Sequence, residues 1–290
     1  MILLIDNLPI DGTIPIDVFC NHVTSRHHDS PLHVHTHHIE LFLLISGNAS
    51  FYTEKQAFKI PPKSLIIIPD GIWHCAVTHD DSPYERAYVN IDLDLIDILS
   101  TDKTNLYKCF EAARNQEVST MILDEQQCAS FTTMCENLSS IIEQNEYASD
   151  IYERIILARM LLLANEVTPV QEHRENNIPK LLEELTRFIS ENIDQKLSLS
   201  IFSQQFFLNP NYIDQYFKKY MHVSIHTYVI EKRIELAKQL LREGASVTDT
   251  CERCGFGNYS NFIRTFGQRV GMSPGKYKKL HHHEVSAVRK

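Results

Sequence analysis

No stretch of this 290-residue chain approaches the about 18 consecutive apolar residues of a membrane-spanning helix, so no span is expected. Nor does its beginning, MILLIDNLPID, carry a basic stretch ahead of the short apolar run, which argues against a secretory leader. Cysteine occurs seven times (Cys20, Cys75, Cys109, Cys128, Cys135, Cys251, Cys254), an odd and irregular set that does not read as a disulfide framework. A reduced, cytoplasmic protein is the expectation. Tryptophan appears once, at Trp73. Positive charge is in deficit: 28 Lys+Arg face 37 Asp+Glu, a net of −9, which taken whole argues against a nucleic-acid binder. There is no phosphate-binding glycine loop and no nucleophile–base pattern to announce an enzyme.

What is present is unevenly distributed. Residues 1–179 carry a net of −15 and residues 180–290 a net of +6. Such a split is expected of two separately folded units, of which only the second suits a polyanion. At about 100 to 200 residues per domain the length agrees, and 43% hydrophobic residues suffice for sizeable cores.

Short β-rich runs occupy Ile39–Ser46, Ala49–Thr53, Ala57–Ile60, Leu65–Pro69 and Trp73–Thr78, with Tyr84–Asp92 as a further strand. Turn residues separate them, notably Ser46-Gly47-Asn48, Pro61-Pro62-Lys63-Ser64 and Pro69-Asp70-Gly71. This spacing predicts an antiparallel sandwich or barrel. Within it stands His33-x-His35-x4-Glu40, followed later by Pro69-x-Gly71-x2-His74. Residues two apart on a strand share a face, so His33 and His35 can point together, whereas Glu40 needs a turn or bulge to join them. Imidazoles and a carboxylate converging would suit a divalent transition metal.

These paired spacings resemble those of the cupin family, a small β-barrel, over about residues 20–100. Two positions depart from the family pattern: Lys63 stands where a glycine is usual and Thr78 where an asparagine is usual. The resemblance implies that His33, His35, Glu40, Trp73 and His74 line a pocket for a small effector. The same His33, His35, Glu40 and His74 set could hold a divalent metal, although none is required, or could be structural. His37 and His38 are surplus to a four-ligand site.

Apolar residues recur at helical spacing over Glu125–Glu146 and Asp150–Asn165, with Asp124 or Asp150 as caps. These helices are expected either to pack on the barrel or to join two copies of the chain. The polar run Val170–Asn177 reads as a linker.

The last hundred residues contain a repeat. Ile213-x3-Phe217-x6-Ser224-x3-Tyr228 recurs 49 residues later as Phe262-x3-Phe266-x6-Ser273-x3-Tyr277. Each copy follows a short helix-like run (Leu199–Phe206, Val247–Cys254) and a turn, with Ser203 and Cys251 at the equivalent small-residue position. That is the pattern of two helix-turn-helix units. It makes Cys251-x-x-Cys254 a packing feature rather than a redox or zinc pair. Between the copies, Ser224–Glu243 reads as one helix ended by Gly244. The outward residues of the two reading helices are Asn211, Asp214 and Gln215 in the first, and Tyr259, Ser260, Asn261 and Arg264 in the second. Asn and Gln suit adenine edges, Arg suits guanine, and an acid can accept from cytosine. Lys218, Lys219, Arg269, Lys276, Lys278 and Lys279 are placed to meet phosphates.

The segments FKKYMHVSIHTYVIEKRIELAKQLL and CGFGNYSNFIRTFGQRVGMSPGKYKK make residues 181–281 resemble the AraC/XylS family of transcription regulators, whose usual companion is an N-terminal cupin-type domain. Departures are His222 in place of a usual glycine, Gly267 in place of a basic residue, and the acid Asp214 on a reading face. The expected fold is α+β and multidomain. Residues 1–105 would form an antiparallel, cupin-like β-barrel, 106–169 a helical connector, 170–178 a linker, and 179–290 an all-α tandem helix-turn-helix domain. The resemblance implies a DNA-binding transcription regulator rather than an enzyme. Its partners would be double-stranded DNA, a small effector such as a sugar, RNA polymerase and a second copy of the chain. The rivals are a metal-dependent cupin enzyme with a DNA-binding appendage, and a dimeric regulator that takes no ligand.

Overall fold

The structure, a computed structural model, describes residues 18–26, 32–144, 146–166 and 179–287, with side chains to residue 280. The expected linker over 170–178 lies outside the described residues. The chain divides into two compact units on either side of it.

The first unit is built on eight strands: β1 (Val18–Ser25), β2 (His38–Ser46), β3 (Ala49–Thr53), β4 (Ala57–Ile60), β5 (Ser64–Ile68), β6 (His74–Thr78), β7 (Tyr84–Asp92) and β8 (Ser119–Ile122). Four helices accompany them: α1 (Leu93–Leu99), α2 (Lys108–Arg114), α3 (Glu125–Gln144) and α4 (Ser149–Glu166). The strands form two antiparallel sheets, ordered β1-β7-β2-β5-β8 and β4-β3-β6. The barrel expected from the sequence is therefore an open, two-sheet arrangement. Among the described residues no ladder joins the sheets; an isolated bridge ties His33, ahead of β2, to His74 at the start of β6. β8 extends the larger sheet, so the sheet continues past residue 105 into the stretch expected to be wholly helical.

Strand β2 explains the layering. Ile39, Leu41 and Leu43 pack into a core with Phe110, Phe131, Leu138, Leu157 and Leu161 of the helices. Phe42 and Leu44, on the other face, pack with Phe51, Ile60 and Ala76 of the smaller sheet. Burial on both faces is why LFLLI is a continuous apolar run instead of an alternating one. Each such side chain contributes about 1.5 to 3 kcal/mol by leaving water. Asp124 starts α3 as expected: its carboxylate accepts from Gln127 N at 2.7 Å while Gln127 Oε1 accepts from Asp124 N at 3.0 Å, a reciprocal cap. Along its length α3 is pinned to β1, with Ser139 Oγ donating to Cys20 O at 2.8 Å.

The second unit is all helical: α5 (Lys180–Glu191), α6 (Leu199–Phe206), α7 (Pro210–Met221), α8 (Ile225–Arg242), α9 (Val247–Arg253), α10 (Tyr259–Val270) and α11 (Pro274–Ala287). Every position of the repeated motif has a physical reason. Ile213 and Phe217, like Phe262 and Phe266, are buried one turn apart. Ser224 Oγ accepts from Thr227 N to begin α8, and Ser273 Oγ accepts from Lys276 N to begin α11. Tyr228 and Tyr277 then fold back on Phe217 and Phe266, at ring-centroid distances of 5.2 and 5.6 Å.

Candidate effector and nucleic-acid sites

In the first unit the chain bends at Thr36–His37, where His37 has a left-handed φ of 68°. That bend supplies the change of phase Glu40 needed. His33 and His74 exchange backbone hydrogen bonds at 3.0 and 2.9 Å, and Gly71 N donates to His35 O at 2.9 Å. As a result His33, His35, Glu40 and His74 each offer one ligand atom within 4.8 Å of the others. His35 Nε2 lies 2.9 Å and His74 Nε2 3.1 Å from the same Glu40 Oε2. His74 Nδ1 is 2.8 Å from Ile72 O. A carbonyl only accepts, so Nδ1 carries the proton and the ring is fixed with Nε2 facing Glu40. Phe51 stacks on that ring at 5.6 Å. Burial alone would push the Glu40 carboxyl up, but hydrogen bonds from His35 and His74 hold it well below the usual carboxylate range.

Trp73, expected to line a pocket, is buried just before β6. His37 and His38 stand apart from the cluster and face acids: His37 Nε2 is 3.4 Å from Asp94 Oδ1, and His38 Nε2 is 3.7 Å from Asp92 Oδ2. The cluster was legible in the sequence. Asn90 was not, although it pairs directly with Glu40 across the strands.

In the second unit Asn209 Oδ1 caps α7, accepting from Asn211 N at 2.9 Å, and Asn258 Oδ1 caps α10, accepting from Asn261 N at 2.9 Å. Asn211, Gln215, Lys218 and Lys219 are exposed on α7; Tyr259, Ser260, Asn261 and Arg264 are exposed on α10. Arg264 Nη2 donates to Asn261 Oδ1 at 3.0 Å, which orients the guanidinium on that face. Asp214 departs from the expectation of a base contact. Its Oδ1 accepts from Ile225 N at 3.1 Å, so the carboxylate serves the start of α8. Two of the expected phosphate residues are also tied internally. Arg269 pairs with Glu231 at 3.0 Å and Lys278 Nζ donates to Gly244 O at 2.8 Å, whereas Lys276 and Lys279 are exposed. Tyr216 is half-buried in a ladder with Tyr212 and Tyr220 along α7.

A family model described as an AraC-like ligand binding domain matches residues 15–160, half of the chain, and a helix-turn-helix domain model matches residues 202–280. The melibiose operon regulatory protein of Escherichia coli (strain K12) is 37% identical over 94 residues, 32% of this chain and 31% of that relative. The chain thus spans about a third of that relative's own length. The HTH-type transcriptional activator RhaR of Mannheimia succiniciproducens is 23% identical over 263 residues, covering 88% of this chain and 90% of its own. A crystal structure of ToxT from Vibrio cholerae O395 covers 91% of this chain and 99% of its own at 13% identity, with a TM-score of 0.39. With a ligand-binding model over its first half and a helix-turn-helix model over the repeat, the chain belongs to the AraC family of transcription regulators.

Proposed function

We propose that this protein is a sequence-specific, double-stranded-DNA-binding transcription regulator controlled by a small effector bound at the His33, His35, Glu40 and His74 cluster. The observation that carries the reading is the pair of capped helices, α7 and α10, each presenting exposed polar side chains, with exposed lysines at Lys218 and Lys219 of α7 and at Lys276 and Lys279 of α11. Asn211, Gln215, Tyr259, Ser260, Asn261 and Arg264 would read base edges, while Lys218, Lys219, Lys276 and Lys279 would hold phosphates. The exposed apolar residues Ile151, Tyr152, Ile155 and Leu162 of α4 would meet a second copy of the chain. A sugar is the effector class we favour, in keeping with the name of the melibiose operon relative.

Selection of binding sites from random duplex DNA by the full chain tests the reading. One sequence should be enriched, and equal affinity for all sequences would sink it. On the enriched site Arg264→Ala should cost about 1 to 3 kcal/mol; an equal loss on unrelated DNA would show that Arg264 touches only phosphate.

A second reading, that the cluster holds a divalent transition metal, is favoured by His74. Donation of Nδ1–H to a carbonyl, with Nε2 aimed at the other donors, is the arrangement of metal-bound imidazoles. His33, His35, His74 and Glu40 would be the ligands, and the ion would supply a Lewis-acidic point for effector oxygens. Metal analysis of untagged protein purified without chelators should find about one equivalent per chain; none would remove this reading.

A further inference from the structure

We infer that Asn90 is a ligand-contacting residue of the effector site, accepting a hydrogen bond beside Glu40 from a neutral, hydroxyl-bearing small molecule. The inference rests on the effector reading above and deepens it. Asn90 lies directly opposite Glu40 in the β7–β2 ladder. Its neighbours Val89 and Ile91 belong to the helix-side core. Strand alternation therefore puts Asn90 on the other face, with Glu40, toward the smaller sheet. Directly paired residues have Cβ atoms about 4.5 to 5.5 Å apart.

Both side chains are buried, Glu40 5% and Asn90 7% exposed. Yet Asn90 Oδ1 has no hydrogen-bond partner among the described residues. Both imidazole contacts of Glu40 fall on Oε2, so Oε1 is the oxygen left to a ligand. Two adjacent acceptors match two adjacent donors. A cationic ligand is disfavoured: three imidazoles surround Glu40, and buried Arg86 lies on the same face two paired positions along. Vicinal hydroxyls satisfy both acceptors without adding charge. An unmet buried acceptor weakens the unliganded fold, which fits a residue kept for binding.

Thermal unfolding of the full chain without ligand gives the first test. Asn90→Leu, or Asn90→Val if the strand prefers a branched residue, should raise the Tm of the first unit by about 2 to 4 °C. A lower Tm in both variants would mean that Asn90 holds the structure together, and would overturn the inference. The second test uses common pentoses, hexoses and their alditols as probes. At least one should raise the wild-type Tm, and that shift should vanish in the Asn90 variant. No shift in the wild type, or a shift that survives the substitution, overturns the assignment. Either failure leaves the DNA selection unaffected, so it is distinguishable from failure of the regulator reading.

Discussion

The two helix-turn-helix copies follow one plan and differ where the backbone turns left-handed. In each, a small residue of the first helix donates to the carbonyl five residues on: Ser203 Oγ to Leu208 O at 2.7 Å, Cys251 Sγ to Phe256 O at 3.4 Å. Those positions are 48 residues apart, whereas the caps Asn209 and Asn258 are 49 apart, so the second turn holds one extra residue. Each copy also has two left-handed positions. In the second copy both are glycines, Gly255 and Gly271; in the first they are Phe207 (φ 55°) and His222 (φ 57°). Phe207 is 93% exposed, so packing does not offset its backbone strain. The difference teaches that the second turn is constrained by what lies against it, whereas the first tolerates a residue that its own conformation disfavours.

Substitutions can break that comparison, beginning with Gly255. A Cβ there would lie 2.5 Å from Ile193 O and 2.8 Å from Asp194 O. Together with the left-handed φ, Gly255→Ala should cost roughly 2 to 5 kcal/mol in urea unfolding of the second unit. A cost below 1 kcal/mol would show that the 193–194 segment yields freely. Asp214→Ala should follow, losing about 1 kcal/mol with the cap on α8, and it should leave the enriched DNA sequence unchanged. A shifted base preference would return Asp214 to the reading face. Phe207→Gly should stabilise by about 0.5 kcal/mol, because relief of the left-handed strain exceeds the added chain entropy. His222→Gly should change stability by only a few tenths of a kcal/mol, since histidine enters this region more readily than phenylalanine. Destabilisation by either glycine would mean that the side chain makes a contact worth more than the strain.

Much of the fold was readable because its punctuation is chemical. Turn residues bracket β2 to β7, and the repeat carries its own caps and ring pairs. Two departures from the family patterns, Lys63 and His222 in place of glycines, prove to sit at φ values of 63° and 57°, so the usual glycines have a backbone reason. The omissions are equally physical. β1 shows no clean apolar alternation, because Val18, Cys20, His22 and Thr24 share one face and Phe19, Asn21, Val23 and Ser25 the other, each half apolar and half polar. β8 is only four residues long, and α1 and α2 have seven each, too few for a helical period to register. Asp214 misleads because its partner amide, Ile225 N, is eleven residues away around a turn. Asn90 gains meaning only from the strand register that sets it across from Glu40.

All seven cysteines are buried free thiols. Burial pushes Cys109 and Cys254 up to about 12. Because the thiolate is the species that alkylates, each cysteine is shielded until the structure around it opens. Five of them lie in the first unit and two in the second. The protein therefore carries a native set of opening clocks, and the rate at which each cysteine takes up an alkylating reagent would time local unfolding separately in the two units.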